Sequence, residues 1–164
     1  MPTIDEVMER LIGRVVLAVT SDPRSGSLFD LGEWIQRPQR IRNPNLPETQ
    51  QNQMGSVSMF VRCRWELDSP VDLVPADTTI HGFEQRTRLL EALVGSCIVQ
   101  WKFSAAPLEL TLRFENEMAL LLFLARPVYS PETLVVRLQE NALDYLFEWR
   151  DARRAPRPLI ASVA

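Results

Sequence analysis

A short pattern that occurs twice, 82 residues apart, constrains the fold of this chain more than any other feature. Leu11-Ile12-Gly13 and Leu93-Val94-Gly95 each end an amphipathic stretch, and a β-branched, apolar run follows each glycine. The order helix, glycine, strand, turn, strand is therefore predicted twice. With the glycines superimposed, Leu28 aligns with Leu110 without a gap. We infer an α+β fold of internally duplicated helix-plus-antiparallel-strands units, with a boundary near residues 68 to 80.

The first unit opens with Thr3-Ile4-Asp5-Glu6, which has the form of a capping box. Apolar residues at helical spacing follow on one face, namely Ile4, Val7, Met8, Leu11 and Ile12. Gly13 is expected to end this helix. Strands are predicted over Arg14 to Thr20 and Ser27 to Gln36, with a turn at Asp22 to Gly26.

The second unit has the same predicted order. A helix is expected over Phe83 to Val94, followed by strands at Ser96 to Phe103, Leu108 to Glu115 and Met118 to Ala125. One unit alone has too little apolar material for a stable core, so the halves, about residues 1–70 and 80–150, are expected to share one core in a single domain over 1–155. Residues 156–164, with small side chains and prolines nearby, are expected to form a C-terminal tail.

Two segments are harder to assign. Asn43 to Gly55 is rich in proline, glutamine and asparagine and is predicted to be an exposed, loosely held loop, with a functional loop as the alternative. Ser130 to Arg150 fits either a helix or a hairpin. We favour the hairpin, because the strict alternation that leads to Trp149 resembles the alternation from Val57 to Trp65.

Composition excludes several classes of protein. The longest apolar run, Met118 to Ala125, is far shorter than the roughly 20 residues of a membrane-spanning helix. A net charge of −3 argues against general affinity for nucleic acid or anionic membranes. The chain starts without the cationic and apolar regions of a signal peptide, so we expect a cytoplasmic protein.

Residues with catalytic or metal-binding chemistry are sparse. His81 is the one histidine, and Cys63 and Cys97 are the two cysteines, so neither a zinc site nor a nucleophile–histidine pair is expected. The cysteines are expected to be buried thiols, although a disulfide between two strands remains open. Without a Gly-rich phosphate loop, we expect no cofactor, no metal and no catalytic residue.

Partner binding is the remaining route to function. Trp34 follows a polar stretch, and exposed tryptophans are typical of interfaces. Four carboxylates lie near the boundary between the halves, at Glu66, Asp68, Asp72 and Asp77. These five residues are the candidate partner-binding residues. Trp101 and Trp149 are expected in the core. The cluster of Arg37, Arg40 and Arg42 is interpreted as charge along a strand edge that discourages sheet-to-sheet pairing.

Several segments together resemble an uncharacterised family of small bacterial two-repeat α+β proteins. They are Leu11-Ile12-Gly13 with Val15-Val16, Gly26 to Gly32, Cys63 to Leu67, Leu93-Val94-Gly95 and Leu108 to Phe114. Some members of that family are similar to immunity proteins encoded beside polymorphic toxins. The resemblance implies a binding role and supplies no catalytic signature.

Three functional hypotheses follow. The first is a non-catalytic module that binds another protein, of the immunity type, for which an acidic chain suits a basic toxin partner. The second is a small-ligand-binding protein or carboxylate-dependent enzyme with a pocket between the halves. The third is a homodimer that pairs exposed strand edges.

Overall fold

Antiparallel strands dominate this protein, as seen in a computed structural model that describes residues 4–24, 26–70, 73–74, 87–127, 134–140, 143–149 and 157–162. Most of the described residues lie in strands and the helices are few, so the α+β fold is close to a mainly β one. The helices of the described residues are short: α1 (Ile4–Glu9), α2 (Glu48–Asn52) and α3 (residues 87–91).

The strands form two antiparallel sheets. They are β1 (Val16–Asp22), β2 (Gly26–Gln36), β3 (Gln53–Val61), β4 (Cys63–Asp68), β5 (Leu73–Val74), β6 (Ile98–Ala105), β7 (Leu108–Phe114), β8 (Ala119–Pro127), β9 (Leu134–Glu140), β10 (Leu143–Trp149) and β11 (Arg157–Ser162). The six-stranded sheet has the order β1-β2-β3-β9-β10-β11, and the five-stranded sheet has the order β5-β4-β8-β7-β6.

Each sheet contains strands from both halves of the chain. Strand β3 continues through Arg62 directly into β4, but β3 pairs with β9 while β4 pairs with β8 in the other sheet. The chain returns between β8 and β9: β8 belongs to the five-stranded sheet, and β9, which follows it in sequence, belongs to the six-stranded sheet. The alternation from Val57 to Trp65 therefore spans two strands, because the chain changes sheets at Arg62.

One apolar core connects both sheets with α1 and α3. Strand residues that alternate inward from each sheet form most of it, and α1 adds Val7 and Met8. Fully buried members include Val7, Met8, Leu11, Leu31, Met59, Leu90, Leu93, Leu112, Leu122 and Val136. The predicted common core of the two halves is present.

The two Leu-X-Gly segments contact each other through reciprocal hydrogen bonds. The amide of Gly13 donates to the carbonyl of Ile98 at 2.7 Å, and the amide of Gly95 donates to the carbonyl of Val16 at 2.8 Å. These donors are 82 residues apart, and so are these acceptors. Both glycines have positive φ, +80° and +88°, and each lies in the turn that follows a helix. The prediction that the first helix continues to Gly13 is wrong, because α1 ends at Glu9.

A second reciprocal pair lies beside the first. Val16 N donates to the Ser96 carbonyl at 2.9 Å, and Ile98 N donates to the Arg14 carbonyl at 3.2 Å. We call residues 13–16 and 95–98 the junction. The junction joins the start of β1 in the six-stranded sheet to the start of β6 in the five-stranded sheet.

The predicted correspondence of Leu28 with Leu110 is wrong by one residue. In the first hairpin Thr20 pairs with Leu28, and in the second Lys102 pairs with Thr111. Leu28 therefore corresponds to Thr111. The second hairpin contains one more residue than the first, because it continues to an additional pair between Ala105 and Leu108.

Of the two predictions for the C-terminal part of the chain, one is confirmed and one is wrong. The hairpin after residue 130 is confirmed, because β9 and β10 pair along their whole length. The predicted tail is wrong: β11 pairs with β10 from Arg157 to Ser162. Pro158 is compatible with this strand because β11 lies at a sheet edge, where a strand needs to donate hydrogen bonds to one side only.

Candidate functional site

Strand β4 carries two of the candidate partner-binding residues on its solvent side. Its alternate residues Cys63, Trp65 and Leu67 are buried in the core. Because side chains alternate along a strand, Arg64, Glu66 and Asp68 lie on the opposite side. Arg64 and Asp68 are exposed, and Glu66 is half-buried.

Strand β8 supplies apolar side chains to the same face. Leu121 pairs with Glu66, and Phe123 pairs with Arg64. Both apolar side chains are half-buried, whereas their neighbours Leu120, Leu122 and Leu124 are fully buried in the core. The face therefore has apolar residues along its central strand.

Strands β7 and β6 complete this surface with further charges. Glu109 pairs with Phe123, and Thr111 pairs with both Leu121 and Lys102. We call this surface the outer sheet face and define it by Arg64, Glu66, Asp68, Lys102, Glu109, Arg113, Leu121 and Phe123. Four of its charged residues, Arg64, Asp68, Lys102 and Arg113, are exposed, so the face is accessible.

The chemistry of the outer sheet face favours recognition of another surface. It combines an apolar centre with acidic and basic residues around it, the arrangement found in protein interfaces. Strand β4 carries Arg64 with Glu66 and Asp68, and β7 carries Glu109 with Arg113, so the face has no strong field of one sign. Glu66 and Asp68 lie on a sheet surface and do not line the groove described below.

The structure does not place the other candidate residues with Glu66 and Asp68. Trp34 lies on β2 in the six-stranded sheet, opposite Gly55, and is half-buried. Trp34 and the β4 carboxylates therefore belong to different sheets. Asp72 and Asp77 lie outside the described residues, and so does His81.

The segment between β2 and β3 forms an open groove. Polar residues line it: Gln39, Arg40, Arg42, Asn43 and Gln51, with Pro44. We call this the loop groove; its volume is about 830 Å³. The interpretation of Arg37, Arg40 and Arg42 as strand-edge charges is wrong, because β2 ends at Gln36 and lies between β1 and β3.

Gln51 organises this segment, which was expected to be loose. Its side-chain amide donates to the carbonyls of Asn43 and Leu46, both at 2.9 Å, and its Oε1 accepts from Arg40 at 3.0 Å. The backbone adds a bond of 2.9 Å from Ile41 N to the Gln51 carbonyl. The prediction of a loosely held loop is therefore wrong: α2 and these bonds give the segment a defined structure.

Asp30 is a buried carboxylate next to this segment. It is 2% exposed and accepts a hydrogen bond of 3.0 Å from the amide of Gly55. Burial raises the pKa of Asp30, while the Gly55 amide and the positive charge of Arg37 oppose that shift. Arg37 is itself held by a bond of 2.9 Å from its Nε to the Gln50 carbonyl.

Both cysteines are free thiols. Cys63 is buried in the core, and that burial raises its pKa to about 12. Cys97 is half-buried at the junction; burial raises its pKa, and the neighbouring Glu115 carboxylate raises it further. Thiols with raised pKa values are poor nucleophiles near neutral pH.

Sequence reasoning did not find the loop groove as a site. The arginines are evident in the sequence, but the hydrogen bonds of Gln51 are not. Those bonds join Gln51 to Arg40, Asn43 and Leu46, and these residues meet only in the folded conformation of the segment. Trp101, expected in the core, is half-buried, and its Nε1 donates to Glu9 Oε1 at 3.1 Å. The structure describes the backbone of Trp149 but not its side chain, so its expected place in the core stays a prediction.

Among the described residues, no three histidine, cysteine or carboxylate side chains lie close enough to hold a metal ion. In the same part of the chain, no helix has the length and apolar character needed to cross a membrane. No family model, curated protein or solved structure matches this chain.

Proposed function

We propose that this chain is a non-catalytic, cytoplasmic protein-binding module of the immunity type, which binds a bacterial toxin domain through the outer sheet face. The observation that carries the proposal is the apolar strand β8 on an accessible sheet surface, with Leu121 and Phe123 between the charged strands β4 and β7. Such a surface suits a protein partner better than a small molecule, because a sheet face offers area and no enclosure.

Charge and chemistry support the same function. A net charge of −3 favours fast association with a basic partner. In this proposal Glu66 and Asp68 contact cationic side chains of the partner at the rim of the interface. The two free thiols have raised pKa values, which makes neither of them a good candidate for a nucleophile.

We also propose that the two halves arose by internal duplication, as in the two-repeat family that the sequence resembles. The reciprocal hydrogen bonds of the junction support this origin, since each bond has a counterpart 82 residues away. In this arrangement the exchanged strands β4 and β9 join the halves into one unit. The outer sheet face then combines β4 of the first half with β6, β7 and β8 of the second.

The test uses the polypeptides encoded directly beside this gene. Each is co-expressed with the full chain and assayed for toxicity to the host and for binding in a purified two-component assay. We expect one neighbour to be toxic alone, to be neutralised by this chain and to bind it. If no neighbouring product binds, the proposal is wrong.

Paired variants locate the surface. Glu66→Lys and Phe123→Ser alter the outer sheet face. The controls make comparable changes elsewhere: Glu33→Lys at an exposed acid on β2, and Ile41→Ser at an exposed apolar residue. We expect the face variants to weaken binding by about tenfold or more and the controls to leave it unchanged. Urea unfolding verifies that all four remain folded. Equal weakening by face and control variants would contradict the assignment of the face, as would self-association through this face in sedimentation.

A further inference from the structure

We propose that the loop groove is a binding site for a small oxyanion that carries more than one phosphate or carboxylate group. The groove is formed by the segment that connects β2 to β3 of the six-stranded sheet, whereas the outer sheet face belongs to the five-stranded sheet. This site is therefore independent of the proposed protein-binding surface, and either one can fail without the other.

The lining of the groove is rich in hydrogen-bond donors. Arg40 and Arg42 each carry five guanidinium N–H groups, and Gln39 and Asn43 carry amide groups. Two side-chain oxygens of the lining already accept hydrogen bonds within the protein. Gln51 Oε1 accepts from Arg40, and Asn43 Oδ1 accepts from the backbone amide of Asn45 at 3.0 Å. A ligand that enters the groove meets mainly donors and positive charge, which an oxyanion complements.

No acidic residue is among the described residues that line the groove. On the outer sheet face, by contrast, acidic residues lie on the same strands as the arginines, Glu66 and Asp68 with Arg64 and Glu109 with Arg113. Within the described part of the chain, no hydrogen bond or ion pair engages the Arg42 guanidinium. In a chain with more acids than bases, a concave surface with two arginines and no carboxylate is a local exception to the overall charge.

Hydrogen bonds within the segment define the shape of the groove. All three hydrogen-bonding groups of the Gln51 side chain are used to hold the segment and Arg40. Arg40 is thereby partly fixed toward the groove, which lowers the ordering cost of binding. The adjacent Arg37 is tied to Gln50 and faces the Asp30 charge, so it belongs to the support of the groove.

The ligand class follows from this lining. Drug-sized ligands usually bind in apolar, enclosed pockets, whereas this groove is open and all its lining residues except Pro44 carry polar side chains. Guanidinium groups bind phosphate and carboxylate through paired hydrogen bonds. Two arginines in one groove favour a ligand with at least two anionic groups. Phosphate and carboxylate share this chemistry, and the experiment separates them.

The experiment titrates the full chain with inorganic pyrophosphate and, separately, with citrate. It follows the backbone amide signals and the arginine Nε–H signals by NMR. Maltose and sodium chloride serve as neutral and ionic-strength controls. We expect saturable shifts confined to residues 37–52 with at least one of the two anions. Pyrophosphate alone assigns the site to phosphate, citrate alone assigns it to carboxylate, and both together assign it to oxyanions in general.

Arg42→Gln is the most informative variant, because it removes a charge without breaking a hydrogen bond of the segment. We expect it to weaken anion binding by about tenfold and Arg42→Lys to restore part of that loss. Arg24→Gln, at an exposed turn arginine between β1 and β2, is the matched control and should bind as the wild type does. Absence of saturable shifts with both anions would overturn the proposal, as would equal weakening by Arg24→Gln.

Discussion

Val15 and Cys97, 82 residues apart, face each other in an isolated antiparallel bridge between the start of β1 and the start of β6. The reciprocal bonds of Gly13 and Gly95 lie on either side of this bridge. The two sheets are thus joined by backbone pairing as well as by the apolar core. Disturbing one side of the junction should therefore affect the whole protein and not a single hairpin.

Replacement of either junction glycine by alanine should destabilise the fold to a similar extent. A Cβ at Gly13 or Gly95 meets no atom within 4 Å, so the cost comes from the positive φ alone. That cost is about 1–2 kcal/mol for a residue with a Cβ in this conformation. Urea unfolding of Gly13→Ala and Gly95→Ala measures it. Very different losses at the two positions would contradict the equivalence of the two sides.

Gly26→Ala provides a contrast, with a larger expected loss. Its φ is +101°, and a Cβ at this position would overlap the backbone carbonyl oxygen of Val61. Backbone atoms of a paired strand cannot move aside as a side chain can. A loss at Gly26 no larger than at Gly13 would show that the hairpin adjusts more easily than the structure indicates.

Much of the fold was predictable because the pattern of each segment is local. The alternation of Leu143 to Trp149 predicts a strand from residues close together in sequence, and that strand is present. The end of the first helix was predicted less well, since α1 ends at Glu9 and not at Gly13. The exchange of β4 and β9 between sheets was not predictable in this way. The alternation continues across Arg62, and only the pairing of each part with a distant strand shows that the chain changes sheets there.

The candidate site was predicted in part. Glu66 and Asp68 lie on one accessible face because their spacing of two places them on the same side of a strand. Nothing in their own segment indicates Leu121 and Phe123 as neighbours, since that requires the register of β4 with β8. Trp34 was grouped with these acids by residue type, and strand order places it in the other sheet.

The hydrogen bond from Trp101 to Glu9 should contribute measurably to stability. It ties the last residue of α1 to β6, across 92 positions of sequence. Glu9→Ala removes the acceptor and is expected to cost about 1 kcal/mol, whereas Glu9→Gln keeps an acceptor and should cost less. Urea unfolding monitored by tryptophan fluorescence compares them. Equal losses in the two variants would show that the bond adds little.

The two thiols should react at different rates with a thiol reagent near pH 8. Cys63 is buried with a pKa of about 12, so it should react only after unfolding. Cys97 should react slowly in the folded protein, because burial and the Glu115 carboxylate disfavour its thiolate. Mass spectrometry of the labelled protein distinguishes the two sites. Labelling of Cys63 as fast as Cys97 would contradict the buried position of β4.

Glu115→Gln tests the cause of the slow reaction. Glutamine removes the negative charge beside Cys97 and keeps an oxygen that can accept from the Cys97 amide, which Glu115 does at 3.3 Å. We expect Cys97 to react faster in this variant while Cys63 remains protected. An unchanged rate would mean that burial alone controls the thiol.

Asp30 should make the stability of the fold depend on pH in the direction opposite to that of a salt-bridged carboxylate. Its pKa is raised in the folded protein from an ordinary value of 3.8, mainly by burial. The folded state therefore holds the proton more tightly than the unfolded state does. This contribution to stability is complete below pH 3.8 and is lost as the pH rises through the raised pKa.

Asp30→Asn isolates that contribution, because asparagine is uncharged at every pH and its oxygen can still accept from the Gly55 amide. The free energy of unfolding of Asp30→Asn, relative to the wild type, should increase as the pH rises above about 4 and reach a plateau above the raised pKa. Asp68→Asn, at an exposed position on β4, shows how much of the change comes from removing one negative charge. A relative stability that falls with rising pH would mean that Arg37 and the Gly55 amide outweigh the burial of Asp30, so that its carboxylate is ionised at a net gain.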